Sequence, residues 1–411
     1  MMLLLIVDIA PCVNASHHRL RRHVRSPVPT ATPTSSLTPI VLITGGTGII
    51  SSPTGQTFAV LDTAEIFDPT HGLFRPRGAL TTHRDRAAAV RLHDGRVLIV
   101  GGVDTVPVPM ASFSGPAMPW ILLSTDLFDP ANGHFSAAAQ MKTARDEPTA
   151  TLLKDGSVLI VGGGASNAEL FDPATNRFAP SGEMAASRYE QTATMLQSGK
   201  VLIAGGGPAT SELYDASADK FIPAGQMDTT RIYHTASLLV DGRVLIAGGS
   251  QYARSAATNA TAIYNPESGT WEAGPKMVEA RVSHTATTLN DGKILLAGGC
   301  SDRSAELYDP SGGKFALTGH MTISRYGHSA TLLPDGKVLI AGGWDSQYKP
   351  VVSAELYDPA ARKFVPTSNM TEARAGHTAT LIWVLRSANW LKPTTIAPQT
   401  ATAVSTPDFR H

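Results

Sequence analysis

A run of four aliphatic or near-aliphatic residues closed by two glycines recurs seven times along this chain: VLITGG, VLIVGG, VLIVGG, VLIAGG, VLIAGG, ILLAGG and VLIAGG. The first glycines are Gly45, Gly101, Gly162, Gly205, Gly248, Gly298 and Gly342, giving successive steps of 56, 61, 43, 43, 50 and 44 residues. Each run is too short for a helix and is bounded by turn residues, so it reads as a strand buried on both faces. Repetition at such a period marks the blades of a β-propeller.

The repeat is clearest from His328 to Phe364. His328 to Leu333 alternates as a first strand, and Asp335-Gly336 predicts a two-residue hairpin turn with positive φ at both positions. Lys337 to Ala341 forms the second strand, ending at Gly342-Gly343, where a missing Cβ permits a left-handed bend. Ala354 to Tyr357 is the third, stopped by Asp358-Pro359 because proline cannot donate to a ladder. The fourth holds Phe364. Equivalent large side chains are Phe74, Phe135, Phe178, Phe221, Trp271 and Phe315, expected in the core between blades.

Gly45-Gly46 lacks a first strand before it, since residues 31–38 read ATPTSSLT. At the other end His377 to Ile382 is a first strand with no second strand after it. The two fragments complete one blade, which predicts an all-β, seven-bladed propeller over 37–382, closed by pairing of the C-terminal strand with the first N-terminal strand. Closure removes exposed sheet edges. Residues 1–36 read as an N-terminal segment, and 383–411 as an unstructured tail.

Hydrophobic residues make up 42% and charged residues 17%, enough apolar content for a large core. Lys plus Arg and Asp plus Glu number 34 each, so no global field attracts nucleic acid or an anionic membrane. Cys12 and Cys300 are too few for a disulfide framework or a cysteine-built zinc site. The apolar start MMLLLIVDIA has a small-residue stretch at Val13-Asn14-Ala15 but no basic n-region, which leaves secretion or periplasmic export open. It is too short to span a bilayer. Residues 17–39 are basic, then rich in Pro, Ser and Thr, as in a linker.

The Gly-Gly ending, the Tyr or Phe of the third strand and the aromatic of the fourth together resemble the kelch repeat, across about 37–382. RIYHTASLLVDGRVLIAGG (Arg231 to Gly249) is similar to the central propeller of galactose oxidase. That resemblance implies copper ligands at Tyr233 and His234. It also requires a second tyrosine cross-linked to cysteine and a histidine from a later domain. Two residues beyond the repeat arginine, however, the chain has Arg86, Glu147, Glu190, Tyr233, Ser283, Gly327 and Gly376. Cys300 has no evident tyrosine partner, so the copper set is incomplete.

Strand one starts on the face where strand two ends, so the Gly-Gly loops and the loops entering strand one share a top face. Long top loops at Thr47 to Thr63, Val103 to Ser124, Ser250 to Thr261 and Trp344 to Ser353 are candidates for recognition, three of them on blades 7, 1 and 2. Candidate binding residues are Trp120, Phe113, Trp344, Tyr348, Phe58 and Tyr252, whose rings either contact a ligand or pin the loops. Repeated arginines (Arg84, Arg145, Arg188, Arg231, Arg281, Arg325, Arg374) match third-strand acids Glu65, Asp126, Glu169, Glu212, Glu306 and Glu355, with Ala262 the exception, and predict structural ion pairs.

Three residues after the arginines stand Ala87, Pro148, Gln191, His234, His284, His328 and His377. With Tyr233, the four histidines are channel-mouth candidates, weighed between a metal and structural hydrogen bonds. No phosphate-cradling loop, zinc-helix motif or nucleophile elbow occurs. The expectation is a monomeric, non-catalytic scaffold binding a protein or carbohydrate, with no metal, cofactor or nucleic acid. A carbohydrate-active enzyme of galactose-oxidase-like or other metal-dependent type is the alternative.

Overall fold

The computed structural model describes residues 37–52, 55–104, 108–109, 120–253, 255–300 and 302–391. Seven four-stranded antiparallel sheets stand as blades, and their first strands neighbour one another in an unbroken circle. Blade 7 is typical: Ser329–Leu332 is innermost, followed outward by Val338–Ala341, Ala354–Asp358 and Lys363–Pro366.

Blade 1 joins the two ends of the chain. Its innermost strand is Thr378–Leu385, which pairs along its whole length with Leu37–Thr44, from Leu37 opposite Leu385 to Thr44 opposite Thr378. The strand runs past the expected boundary at Ile382 because alternation continues and Val384 is buried. Trp390 then stacks edge-on against Phe128 of blade 2, with the Arg77 guanidinium 4.5 Å from its ring. Residues 383–391 are thus folded onto blades 1 and 2 instead of forming part of a tail, and 392–411 lie outside the described residues.

Second strands are buried on both faces because each blade lies between two others. Ile40 and Leu42 pack with Val97, Ile99 and Phe128 of blade 2, whereas Val41 and Ile43 pack with Leu339 and Ala341 of blade 7. Each such side chain contributes about 1.5 to 3 kcal/mol on burial. In every blade the third-strand aromatic sits opposite the fourth-strand ring, from Phe67 with Phe74 to Tyr357 with Phe364, at centroid distances of 4.7 to 5.1 Å.

The Asp-Gly turns differ from the two-residue expectation. In blade 7 the Gly336 amide donates to the Leu333 carbonyl at 2.9 Å and the Leu333 amide to that of Lys337 at 2.8 Å. This is a three-residue loop through Pro334 and Asp335, and of the Asp-Gly pair only Gly336 has positive φ, at 86°. Proline suits the second position of such a turn, and the Asp335 carboxylate accepts from the Lys337 amide.

Candidate functional site

On the top face, the residue after each arginine lies against a Gly-Gly pair's second glycine, as Asp146, Tyr189 and Val282 do, or the residue beyond it. Asp85 bridges Val103, Ile232 bridges Ser250, Tyr326 bridges Trp344, and Ala375 bridges Thr47 across the closure. The loops expected to share one face therefore do so.

Beneath them the seven arginines are buried and bonded to the frame. Each Nη1 donates to the first glycine carbonyl of its own blade, at 2.8 to 3.1 Å. Six pair with the third-strand acid, as Arg325 with Glu355 at 3.0 Å and Arg374 with Glu65 at 2.8 Å. In blade 5, where Ala262 replaces the acid, Arg231 turns to Asp228 at 3.2 Å. The ring is structural and leaves no guanidinium free for an anion.

The four histidines are engaged through one ring nitrogen, while Nδ1 of each is buried without a hydrogen-bond partner among the described residues. Nε2 of His234, His284, His328 and His377 meets the hydroxyl of Thr192, Thr235, Thr285 and Ser329 respectively, at 2.8 to 3.2 Å, each in the preceding blade. The imidazole fills space left by that blade's glycine: a Cβ on Gly342 would stand 2.7 Å from His377 Cε1. Burial, with an arginine nearby, pushes His234, His284 and His377 down to about 3 and His328 well below its usual value. They are neutral and buried between neighbouring blades.

A family model described as Kelch motif matches residues 325–371. The matched segment spans one repeat, and the other blades carry the same landmarks in register. The chain is a seven-bladed β-propeller that contains a kelch motif. Among solved structures, one titled "Structure of YjhT" has a TM-score of 0.53 at 14% identity, covering 70% of this chain and 99% of that one. Another is a "Novel fungal alcohol oxidase with catalytic diversity among the AA5 family, in complex with copper", with a TM-score of 0.59 at 18% identity, covering 85% of this chain and 73% of that one. At these identities the likeness concerns the fold, and it matches the resemblance to the galactose oxidase propeller. No curated protein matches the chain in sequence.

The donors of this propeller do not fit copper. His234 Nε2 meets the Thr192 hydroxyl, and burial with the nearby Glu190 and Glu147 charges raises the Tyr233 phenol above its usual value. Cys300 is engaged by Arg281, Asp302 and Ser304. No group of three His, Cys, Asp or Glu among the described residues is arranged to hold a metal.

Around the axis the propeller presents another constellation. Arg86, Glu147, Glu190, Tyr233 and Ser283 all adopt φ between 52° and 57°, with Gly327 at 56° and Gly376 at 67°. Amide-to-carbonyl bonds of 3.0 Å link Arg86 to Gly376, Gly376 to Gly327, Gly327 to Ser283 and Ser283 to Tyr233. Arg86 reaches Asp146 at 3.1 Å and Glu147 at 3.5 Å, and Glu190 lies close enough for its charge to act on Glu147. Burial first, then each other's charge or that of Asp146, raises both glutamates above the usual carboxylate range. Burial raises Asp85 to about 6 against the pull of Arg86 and a 2.9 Å bond from Thr47.

Off the axis, a groove of about 510 Å³ opens between blades 1 and 2. Ile50, Ala59, Val60 and Leu61 supply its apolar lining, and Asp62, Thr63, His83, Asp104, Trp120 and Glu372 the rest. His83 lies 3.9 Å from Asp62 and 4.0 Å from Asp104. Trp120 is 73% exposed.

The candidate binding residues scatter over this face. Trp120 alone lines the groove. Phe58 and Trp344 pack on each other at 5.9 Å, tying the loops of blades 1 and 7 together. Tyr348 and Tyr252 are exposed on separate loops of blades 7 and 5, and Phe113 lies outside the described residues. Sequence reasoning missed Asp62, His83, Asp104 and Glu372, which come from four segments and share no repeat position. Glu147, Glu190 and Arg86 carried a signal, since they stand in register with Tyr233.

Proposed function

We propose that this propeller is a non-catalytic recognition scaffold whose partner, a protein or a carbohydrate, engages the top face at the groove between blades 1 and 2. A kelch propeller is in general a binding scaffold. The observation that carries the finer reading is the exposed Trp120 indole on a groove of ligand-holding size, borne by loops on a closed frame. The purified propeller is to be screened against peptide and glycan arrays, with Trp120→Ala beside the wild type. Binding should be lost in the variant while thermal unfolding is unchanged; hits that survive the substitution refute this site.

A second reading, acid-base catalysis at the axis, draws support from the Glu147 and Glu190 pair. Burial raises both carboxyl groups above the usual carboxylate range, beside the Tyr233 phenol and the Arg86 cation. Turnover found in a substrate screen and abolished by Glu190→Gln would favour it. Turnover retained in that variant would exclude it.

A further inference from the structure

The chemistry of the groove narrows what it can hold. Asp62, Asp104 and Glu372 line it, and among the described residues no lysine or arginine does. Arg84 and Arg374, which adjoin the lining residues His83 and Glu372 in sequence, are buried and bound to Asp126 and Glu65. Arg374 also meets Glu372 at 2.9 Å, which leaves Asp62 and Asp104 with the imidazole of His83 as their ion-pair partner. All three are partly exposed, so a partner can reach them.

Three kinds of surface thus converge: carboxylates with unspent acceptor capacity, the open face of an indole, and an aliphatic strip of Ile50, Val60 and Leu61. An arginine side chain has one complement for each. Its forked N–H groups donate to carboxylates, its planar cation stacks on tryptophan, and its methylene stem covers apolar surface. Lysine satisfies the same three with a point charge. An anionic partner would be repelled by two carboxylates, and an apolar one would leave them desolvated without donors.

We infer that the groove receives an arginine or lysine side chain presented by a partner protein, laid between Trp120 and the carboxylates of Asp62 and Asp104. This rests on the binding reading above and specifies the partner's chemistry.

The test uses two seven-residue peptides, glycine-serine-alanine-X-alanine-serine-glycine, with X arginine or its uncharged isostere citrulline. Each is titrated into the full chain while the Trp120 indole N–H is followed by NMR. The arginine peptide should shift that resonance saturably and bind at least ten-fold more tightly than the citrulline peptide. Asp62→Asn with Asp104→Asn should weaken it at least ten-fold, with unchanged thermal unfolding. In Trp120→Ala, followed by calorimetry, binding should fall to the citrulline level. Equal affinity for the two peptides, or arginine binding indifferent to the aspartate changes, overturns the inference. A neutral oligosaccharide that binds in a Trp120-dependent way where neither peptide does overturns it too, while leaving the scaffold reading intact. If no peptide, glycan or protein requires Trp120, the scaffold reading fails with it.

Discussion

Blade 5 offers an internal control for what the buried ion pairs contribute. Arg281 donates to Glu306 at 2.7 Å and to the carbonyls of Gly298 and Ser304 at 2.8 and 3.0 Å. Arg231 makes the equivalent carbonyl bonds to Gly248 and Ala260, at 3.1 and 2.9 Å. Its acid, Asp228, is 56% exposed, whereas Glu306 is fully buried. Arg281→Ala and Arg231→Ala therefore lose similar carbonyl bonds, and only the first strands a buried carboxylate. Breaking a buried pair from one side costs about 3 to 5 kcal/mol, and losing an exposed pair about 0 to 1. Arg281→Ala should thus be the more damaging by about 2 to 5 kcal/mol, read from denaturant unfolding midpoints at constant slope. Adding Glu306→Ala to Arg281→Ala should cost less than the two single changes summed. Equal losses for the two arginine variants, or strict additivity in blade 6, would refute the claim that the buried carboxylate decides the cost.

Three further outcomes follow from the same frame. The buried histidines bind a proton in the unfolded chain near pH 6.5 but in the folded one only near 3, so the unfolded state holds more protons between those values. Stability is then full above pH 6.5 and falls as the pH drops toward 3, by about 1.4 kcal/mol per unit for each histidine. His377→Gln, copying Gln191 of blade 4, should flatten the pH dependence of the unfolding free energy by that amount; an unchanged slope contradicts neutral burial. Gly342→Ala meets a left-handed φ of 62° and the His377 ring, so it should cost at least about 2 kcal/mol by chemical denaturation. Trp390→Ala removes the stack on Phe128 and the cation contact with Arg77, for an expected loss of about 1 to 3 kcal/mol in the same assay.

Most of the fold was legible because a propeller repeats one local solution. The four-residue apolar run is a local signal, and so are the Gly-Gly bend and the aromatic at the end of each period. Even the closure could be read, because a first strand without a second must seek a second without a first. The turn type was misjudged for a physical reason: an Asp-Gly pair serves both two-residue and three-residue hairpins, and hydrogen bonds outside the pair decide between them. The strand end at Leu385 was missed because Trp383 and the residues after it fall outside the repeat. What holds them is tertiary contact with Arg91 and blade 2.

The candidate sites were legible to the degree that they belong to the repeat. Arginine, carboxylate and histidine at fixed offsets announced themselves, and they proved to be the parts that hold blades together. A residue needed seven times over serves the frame. Function has to use what the blades do not share, and two kinds of departure stand on the top face. One is substitution at a shared position, where Glu147, Glu190 and Tyr233 replace the Gly and Ser of other blades around the axis. Blades 6, 7 and 1 carry Ser283, Gly327 and Gly376 at that position and are linked there by backbone bonds alone. The other is insertion, where the long loops of blades 1 and 2 bring Asp62, Asp104 and Trp120 together from distant segments. Repetition reveals the first kind at once and is blind to the second, which is why a ring of conspicuous histidines drew attention away from a groove whose lining no periodicity could expose.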